Sequence, residues 1–420
     1  MKSVQYMEPK NGETLVHTTI IRNIGLLLTM RQDTNDLLGA VAHAAVVMRG
    51  PRIIYAGPEK DLPADYRSGG TCTEIDAHQA VVTPGLIDSH THVVFAGDRA
   101  DEFQARHAGA DYEEIQRLNG GIHRTVRETR AASYQSLRAA AIERLQSMRR
   151  HGTTTVEGKT GYGLEYAAEE KVLNVMRALA DEPYLPDVIP TFLGAHIIPA
   201  EFRNNRSLYV QHVIQNMAPA FQAQARFCDV YCEASAFSVP ETKAILESAR
   251  ALGYMLKMHT NQSHDIGGAA LAADLGVISA DHLDYVQDED IQKLAGAGVI
   301  ATLLPGCSFS MQTAFPNAHR FLERGAVVAL ASDYNPGTCN CENLQMIMAL
   351  AVAHCSLTIE QSLQAVTVNA AKALALPDRG HIAAGKRADA LIWKIRDYRE
   401  IGYHFGVNLV DQVIISGAVL

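Results

Sequence analysis

The sequence lacks the features that mark membrane, secreted and nucleic-acid-binding proteins. No apolar run in the 420 residues approaches the roughly 20 residues that a membrane-spanning helix needs. The N-terminal stretch MKSVQYMEPKNGETLVHTT has no apolar core of the kind that signal peptides carry. There is no block of lysine or arginine, and the formal net charge is -9 with both signs mixed along the chain. These absences predict a cytoplasmic protein that acts on a small molecule, with no nucleic-acid or membrane partner.

Cysteine is also scarce, and its spacing predicts no structural metal site. The seven cysteines include two close pairs, in CDVYC and CNC. Neither pair has the CxxC spacing that zinc modules use. We therefore expect reduced thiols.

The order of predicted strands and helices indicates a parallel barrel between two β-rich ends. Both ends carry β-branched runs interrupted by Gly, Pro and Asp. Between them, eight short apolar strands each precede a helix-like segment, which is the pattern of a (β/α)8 TIM-type barrel. The strands lie in GLIDSHTHVVF, GTTTVEGKTGYG, VIPTFLGAH, FCDVYCEASAF, YMLKMHTNQ, VISADHLDYV, VIATLLPG and VVALASDYNPG. We predict the barrel over residues 83–376 and a small β-sandwich domain assembled from residues 1–82 and 377–420.

Residues suited to metal binding follow these strands at their C-terminal ends, where barrel active sites lie. Because side chains alternate along a strand, His90 and His92 point to the same side. Four further strands end in residues of the same kind: His196, His259, His282 and Asp333. Polar groups gathered at one edge are costly to bury unless they find partners, and a metal would supply one. Three imidazoles and one carboxylate suit zinc or iron with room for a catalytic water, so we expect hydrolytic chemistry.

The motifs around these residues resemble the amidohydrolase superfamily of metal-dependent barrel hydrolases. A finer resemblance is to the imidazolonepropionase family, and it rests on these segments: HTHVVFAGDRADEF, YEEI, GGI, TVRETR, GTTTVEGKTGYGL, FLGAHIIPAEF, GGAALAADLGVISADHLDYV, LLPG and SDYNPGT. It runs in register from about Val82 to about Leu376, with weaker likeness at both ends, and such a series is more specific than one HxH pair. It implies hydrolysis of the ring C–N amide bond of 4-imidazolone-5-propanoate to N-formimidoyl-L-glutamate, a step of histidine degradation.

The resemblance also implies a metal site. It places the metal ligands at His90, His92, His259 and Asp333. The implied cofactor is one divalent or trivalent ion, zinc or iron. The fourth barrel strand ends with Glu233 and has no lysine that could be carboxylated to bridge two metals, which favours a single ion. Lys159 is then expected to be a structural group or a neighbour of the ligands.

Substrate-binding residues are implied in the same way. Arg99 matches a position that grips the propionate tail, because a guanidinium can bind a carboxylate through two hydrogen bonds. Without the resemblance, an ion pair with Asp98 or Asp101 would be the simpler interpretation of this arginine. Further substrate contacts are implied at Tyr112, Tyr162, His196, Gln262, Asn335, Gly337 and Thr338. For Asn335 and Gly337, a tight turn formed by NPG is a serious alternative.

The implied mechanism assigns catalytic roles to Asp333, His282 and Gln262. A water activated by the metal attacks the ring carbonyl, while Asp333 takes its proton and passes it to the departing ring nitrogen. His282 and Gln262 steady the oxyanion or the water, and their roles could be exchanged. Relatives commonly have an acid before this Gln or Glu, where Asn261 stands here. Gln262 cannot act as a base.

Two other functions stay open on the sequence alone. Another one-metal amidohydrolase, including an aminohydrolase that releases ammonia, could act on an acid-tailed heterocycle. Deaminases of the superfamily often have a glutamate three residues after the fifth-strand histidine, so Gln262 weakens this alternative. A non-catalytic metal-binding barrel is disfavoured because His282 and Asp333 stand beside the ligand pair. A homodimer is expected from the resemblance only.

Overall fold

A computed structural model of the chain describes residues 17–31, 33, 36–66, 70–109 and 120–420. Two units are distinguished within these residues. The first unit comprises the described residues up to Pro84 together with His381–Tyr398 and Val410–Leu420. The second unit comprises the described residues of Gly85–Gly380 and Arg399–Leu409. Residues 377–380 and 399–409, which the sequence pattern placed in the C-terminal β-segment, group with the barrel.

The strands of the described residues form two separate sheets. In chain order they are β1 (Thr18–Leu28), β2 (Ala40–Arg49), β3 (Arg52–Pro58), β4 (Cys72–Asp76), β5 (Val81–Pro84), β6 (Leu86–Asp88), β7 (Thr153–Lys159), β8 (Asp187–Ala195), β9 (Phe227–Cys232), β10 (Met255–Thr260), β11 (Ser279–His282), β12 (Ile300–Leu303), β13 (Val328–Leu330), β14 (Ala390–Trp393), β15 (Val410–Ile415) and β16 (Ala418–Val419).

Helices follow or connect most of these strands. The α-helices among the described residues are Ala100–His107, Ile122–Ala131, Tyr134–Arg150, Tyr166–Leu179, Arg206–His212, Ala218–Phe221, Val239–Ala251, Gly268–Leu275, Asp288–Gly296, Pro305–Met311, Ala318–Glu323, Leu344–His354, Ile359–Ala365, Val368–Ala373 and Glu400–Tyr403. Short 3-10 turns span Glu59–Asp61 and Ala200–Phe202, and a π-helical turn spans Val213–Met217. In the part of the chain that the structure describes, no helix combines the length and the apolar character that crossing a membrane requires.

The barrel sheet contains β6 to β13 in sequence order, and its neighbouring strands pair in parallel. Its first and last strands meet just beyond their C-terminal ends. There Thr91 forms a parallel bridge with Tyr334, and the backbone N–H of Asp333 donates to the carbonyl of His90 at 3.1 Å. Parallel strands buried on both faces are rich in apolar residues, which explains the short apolar runs in the sequence. The predicted (β/α)8 barrel is confirmed.

The other sheet combines strands from both ends of the chain. The long strand β1 pairs antiparallel with β2 on one side and parallel with β4 and β5 on the other. The C-terminal β14 pairs antiparallel with β5, which joins the two ends in one mixed sheet of eight strands. Its core includes Ile21, Ile24 and Ile414, each with no exposed surface. The predicted separate β-unit built from both termini is thus confirmed.

Candidate metal centre and substrate cavity

Four histidines and an aspartate converge at the C-terminal ends of the barrel strands. The ring centre of His90 lies 4.3 Å from that of His259 and 5.6 Å from that of His92. The ring centre of His282 is 5.6 Å from that of His90. Nε2 of His90 lies 3.5 Å from Oδ1 of Asp333. The structure therefore brings the four predicted ligands and His282 together in one buried cluster.

The imidazoles of this cluster have nitrogens without hydrogen-bond partners among the described residues. They are Nε2 of His90, Nδ1 of His92, both ring nitrogens of His259 and Nδ1 of His282. Of these, Nδ1 of His259 has a charged neighbour at ion-pair distance, Oδ2 of Asp229 at 2.9 Å. Burial holds the pKa of His90, His92 and His259 well below the ordinary histidine value, so these rings are neutral near pH 7. Neutral imidazoles with free lone pairs are metal ligands. Two sets place their ligand atoms within 4.8 Å of one another: His90 with His92 and His259, and His90 with His282 and Asp333.

Asp333 is a buried carboxyl group at the edge of this cluster. Burial raises its pKa to about 7, and hydrogen bonds from its own loop oppose the rise. One of them comes from the Thr338 hydroxyl, which donates to Oδ2 at 3.1 Å. A carboxyl group with a pKa near 7 can accept a proton and give it up again at neutral pH. A cation bound beside it would favour the ionised form.

His282 reaches the cluster through an unusual backbone conformation. Strand alternation would turn its side chain away from that of Asp281, yet both residues are buried and both lie beside His90. His282 and Leu283 have φ values of 80° and 58°, in the left-handed region. For non-glycine residues this region costs about 1–3 kcal/mol each and is typical of functional sites. The turn lets two consecutive polar side chains face the same site.

A layer of five charged residues lies next to the histidines, and each has no exposed surface. We call Glu157, Lys159, Asp229, Lys257 and Asp281 the charged layer. Asp281 Oδ2 lies 2.7 Å from Nδ1 of His90. His90, Glu157 and Asp281 form a third set of close ligand atoms, but the ammonium groups of Lys159 and Lys257 each lie 3.6 Å from that Asp281 oxygen. The two ammonium groups already neutralise the carboxylates of this set. The position of Lys159 beside Asp281, whose carboxylate contacts His90, agrees with the expectation that it is a neighbour of the ligands.

A cavity of about 950 Å³ opens from the histidine cluster. Most of the predicted site residues line it: His92, Arg99, Tyr162, His196, His259, Gln262, His282, Asp333, Asn335 and Thr338. His90 is buried behind this surface, and Tyr112 lies outside the described residues. The residues predicted from the motifs thus surround one space that a small substrate can enter.

Arg99 forms an ion pair inside the barrel unit, but with neither of the two predicted partners. Its Nε donates to Oε2 of Glu102 at 2.8 Å. Asp101 pairs instead with Arg124, and Asp98 accepts from a backbone N–H. The alternative interpretation of Arg99, an ion pair with Asp98 or Asp101, therefore does not describe its contacts. Glu102, one helical turn from Arg99, has the spacing that lets it reach the guanidinium.

The other end of the Arg99 guanidinium lies against Gly337. A Cβ atom at position 337 would collide with Nη1 of Arg99, so glycine permits the close approach. On the far side, Oε1 of Glu102 accepts from the backbone N–H of Gly121 at 3.0 Å. Glu102 therefore engages Nε, the two Nη groups lie next to Gly337, and Arg99 lines the cavity.

The loop after Asp333 is a turn held by Asn335. Its Oδ1 accepts from the backbone N–H groups of Gly337 and Thr338, both at 2.8 Å. Its Nδ2 donates to the Asp333 carbonyl at 2.6 Å and to the Thr338 hydroxyl at 2.7 Å. The side-chain hydrogen bonds of Asn335 are therefore those of a tight turn, as the alternative interpretation held. The turn positions Thr338 beside Asp333.

Tyr231 is a cavity residue that the sequence analysis did not single out. Its hydroxyl donates to Oε1 of Gln262 at 2.7 Å, while Nε2 of Gln262 lies 3.4 Å from Sγ of Cys307. The two contacts fix the orientation of the Gln262 amide. Tyr231 lies two residues after Asp229 on β9, so strand periodicity could have placed both on the same, inward face.

Known proteins similar to this chain share its fold and much of its sequence. The model of the amidohydrolase family matches residues 81–420. The imidazolonepropionase of Symbiobacterium thermophilum is 45% identical over 411 residues, which are 96% of each protein. That of Geobacillus sp. (strain WCH70) is 39% identical over 416 residues, which are 95% of this chain and 97% of the relative.

Two solved structures of more distant proteins share the fold. A triazine hydrolase variant has a TM-score of 0.73 at 17% identity and covers 96% of this chain and 94% of its own. The ochratoxinase of A. niger has a TM-score of 0.70 at 19% identity, and the match covers 97% of this chain and 96% of the ochratoxinase chain. With its metal-binding cluster, its barrel and the family match, the chain belongs to the amidohydrolase family and, within it, to the imidazolonepropionases, which hydrolyse a cyclic amide C–N bond.

Proposed function

We propose that the chain opens the ring of 4-imidazolone-5-propanoate to N-formimidoyl-L-glutamate, with one metal ion held by His90, His92, His259 and Asp333. The observation that carries this assignment is the set of buried, neutral imidazole nitrogens that have no hydrogen-bond partner among the described residues. Unsatisfied buried polar atoms are costly, and a cation satisfies them. The ligand atoms of His90, His92 and His259 lie within 4.8 Å of one another, and Asp333 belongs to a second such set that shares His90.

The donor set suits zinc or iron, and the local charges favour a divalent ion. Imidazole nitrogen and carboxylate oxygen are ligands that both metals accept. The charged layer has three carboxylates and two ammonium groups, which leaves one negative formal charge. Asp333 supplies a second negative charge when ionised. A divalent ion would balance the two charges inside a buried site.

The bound ion would lower the pKa of a coordinated water and so supply the nucleophile at neutral pH. Asp333 accepts the proton of the attacking water and passes it to the departing ring nitrogen. Thr338 holds the Asp333 carboxylate through its hydrogen bond to Oδ2, so the other oxygen faces His90 and His92. His282 then stabilises the oxyanion that forms on the ring carbonyl, with Gln262 orienting the ring or the water.

The substrate itself is held by groups farther out in the cavity. Arg99 binds the propionate with its Nη groups, since Glu102 engages only Nε. His196 stacks on His92 with ring centres 5.1 Å apart. Because Nδ1 of His196 donates to the carbonyl of Gly161 at 3.0 Å, its Nε2 is an acceptor for a ring N–H. Tyr162 adds a hydroxyl donor beside His92 and His196, and Tyr112 is proposed as a second one.

Metal analysis combined with turnover of freshly prepared 4-imidazolone-5-propanoate tests the proposal. We expect His90→Ala and His259→Ala to lower bound metal to well under one equivalent and to abolish activity together. His319→Ala is the matched control, because this histidine is exposed and pairs with Glu323 at 3.2 Å. If both cluster variants retain full metal, the ligands are wrongly assigned.

The product separates ring opening from deamination. Ring opening yields N-formimidoyl-L-glutamate without free ammonia, whereas an aminohydrolase would release ammonia from the ring. Stoichiometric ammonia would therefore overturn the proposed reaction in favour of the aminohydrolase. A cytoplasmic location and a homodimer stay predictions, and light scattering of the purified protein measures the second.

A further inference from the structure

The charged layer is a feature that the proposed reaction does not use directly. Its five side chains have no exposed surface, although burying even one unpaired charge is strongly unfavourable. Lys159 Nζ donates to Oε1 of Glu157 at 2.9 Å and to Oδ2 of Asp229 at 2.6 Å. Lys257 Nζ donates to Oε2 of Glu157 at 2.7 Å. Glu157 is thus held between two lysines, and the charges form one connected network.

Two carboxylates of the layer lie beside candidate metal ligands. Oδ2 of Asp281 is 2.7 Å from Nδ1 of His90, and Oδ2 of Asp229 is 2.9 Å from Nδ1 of His259. A carboxylate at Nδ1 retains the proton on that nitrogen and leaves the lone pair of Nε2 free to bind a metal. In His90 this free Nε2 points towards Asp333, at 3.5 Å from Oδ1.

The lysines hold both carboxylates in these positions. Lys159 contacts Asp229 directly and lies 3.6 Å from Asp281, and Lys257 lies at the same distance from Asp281. Lys257 is anchored in turn by the carbonyl of Ser89, the residue before His90, at 2.9 Å. Without the ammonium groups, three buried carboxylates would repel one another and the imidazoles would lose their fixed partners.

We propose that Lys159 and Lys257 are positioning residues for the metal centre, because they hold the carboxylates that orient His90 and His259. This inference rests on the metal ligands assigned under the proposed function. Neither lysine lines the cavity. They act through Asp281 and Asp229 on the direction and tautomer of two imidazoles.

A purely electrostatic role makes the opposite prediction for metal affinity. Two buried positive charges repel a nearby cation, so their removal would strengthen metal binding if charge alone mattered. If the lysines position the ligands, their removal weakens metal binding. Loss of an outer partner of a metal ligand typically costs roughly 10- to 100-fold in affinity.

The experiment measures the Zn²⁺ dissociation constant of the full chain by competition with a chromogenic chelator. We expect Lys159→Met and Lys257→Met to bind Zn²⁺ roughly 10- to 100-fold more weakly. Lys171→Met is the matched control, because Lys171 donates to three backbone carbonyls, at 2.7 to 3.1 Å, and touches no candidate ligand. It should lose thermal stability but retain the Zn²⁺ affinity of the parent.

A double variant that leaves the net charge of the layer unchanged tests the same inference if a single lysine variant does not fold. Lys257→Met with Glu157→Gln removes an ion pair and leaves the formal charge of the layer unchanged. Positioning predicts weaker Zn²⁺ binding in this variant, with the melting temperature of the metal-free protein recorded alongside. Affinity within twofold of the parent, or tighter binding, would overturn the inference.

The parent protein separates failure of this inference from failure of the proposed function. If the parent binds one Zn²⁺ and turns over the substrate while the lysine variants bind Zn²⁺ as tightly, only the positioning role is wrong. If the parent binds neither Zn²⁺ nor iron, or releases ammonia, the proposed function is wrong. Tautomers of His90 and His259 in the metal-free protein, read from ¹⁵N shifts, provide a further readout: Nδ1–H in the parent and a mixture in the variants.

Discussion

The propionate-binding role of Arg99 can be tested by a variant that keeps the bulk of the side chain and removes the guanidinium. Arg99→Met should lose the charge-assisted hydrogen bonds to the substrate carboxylate, worth about 1.5–3 kcal/mol. This corresponds to roughly a tenfold to hundredfold loss in kcat/KM. Bound metal should stay at one equivalent, because Arg99 touches none of the candidate ligands in the described structure.

The same variant also has a structural cost that must be measured separately. Glu102 is only 2% exposed and would lose the Nε–H donor at 2.8 Å. A buried acceptor left without its partner costs about 1–3 kcal/mol of folding free energy. Glu102→Gln is the matched control, since it weakens the same ion pair but leaves the guanidinium in place. We expect it to lower the melting temperature with a smaller effect on kcat/KM.

The assay compares two substrates with the parent and both variants. An imidazolone without the carboxylate should already be a poor substrate for the parent and should lose little more in Arg99→Met, because the interaction is absent. The acid-tailed substrate should suffer the full loss. Equal losses on both substrates would refute the carboxylate contact and show that Arg99 acts through the structure of its loop.

Other parts of the site give further predictions. Asp333→Asn keeps a ligand oxygen but removes the proton acceptor, so turnover should fall by at least ~10²-fold even where metal stays bound; near-normal turnover would exclude the role. Gly337→Ala places a methyl group against Nη1 of Arg99 and should lower kcat/KM for the acid-tailed substrate more than for the tail-less analogue, whereas equal losses would contradict this. Tyr231→Phe removes the hydroxyl that orients Gln262 and should lower kcat roughly two- to tenfold at unchanged metal content, and an unaltered kcat would show that this orientation is unimportant.

Local patterns were sufficient to predict the barrel and the location of its site. Short apolar strands alternating with helices specify parallel pairing, and the carboxyl ends of parallel strands necessarily meet at one edge. His90, His92, His259 and Asp333 could therefore be placed together from their positions at strand ends. The same pattern at both termini predicted a separate β-unit, since β-branched runs between turn residues are typical of strands wherever they pair.

The partners of the site residues depended on folding. Asp281 lies 191 positions from His90, and no local period relates residues at that separation. The spacing of strand side chains would also have turned His282 away from Asp281, and its left-handed backbone conformation reverses this. Glu102 could not be chosen over Asp101 as the partner of Arg99 until the helix was in place. Periodicity is a property of neighbouring residues, whereas hydrogen bonds and ion pairs depend on which distant strands are brought together.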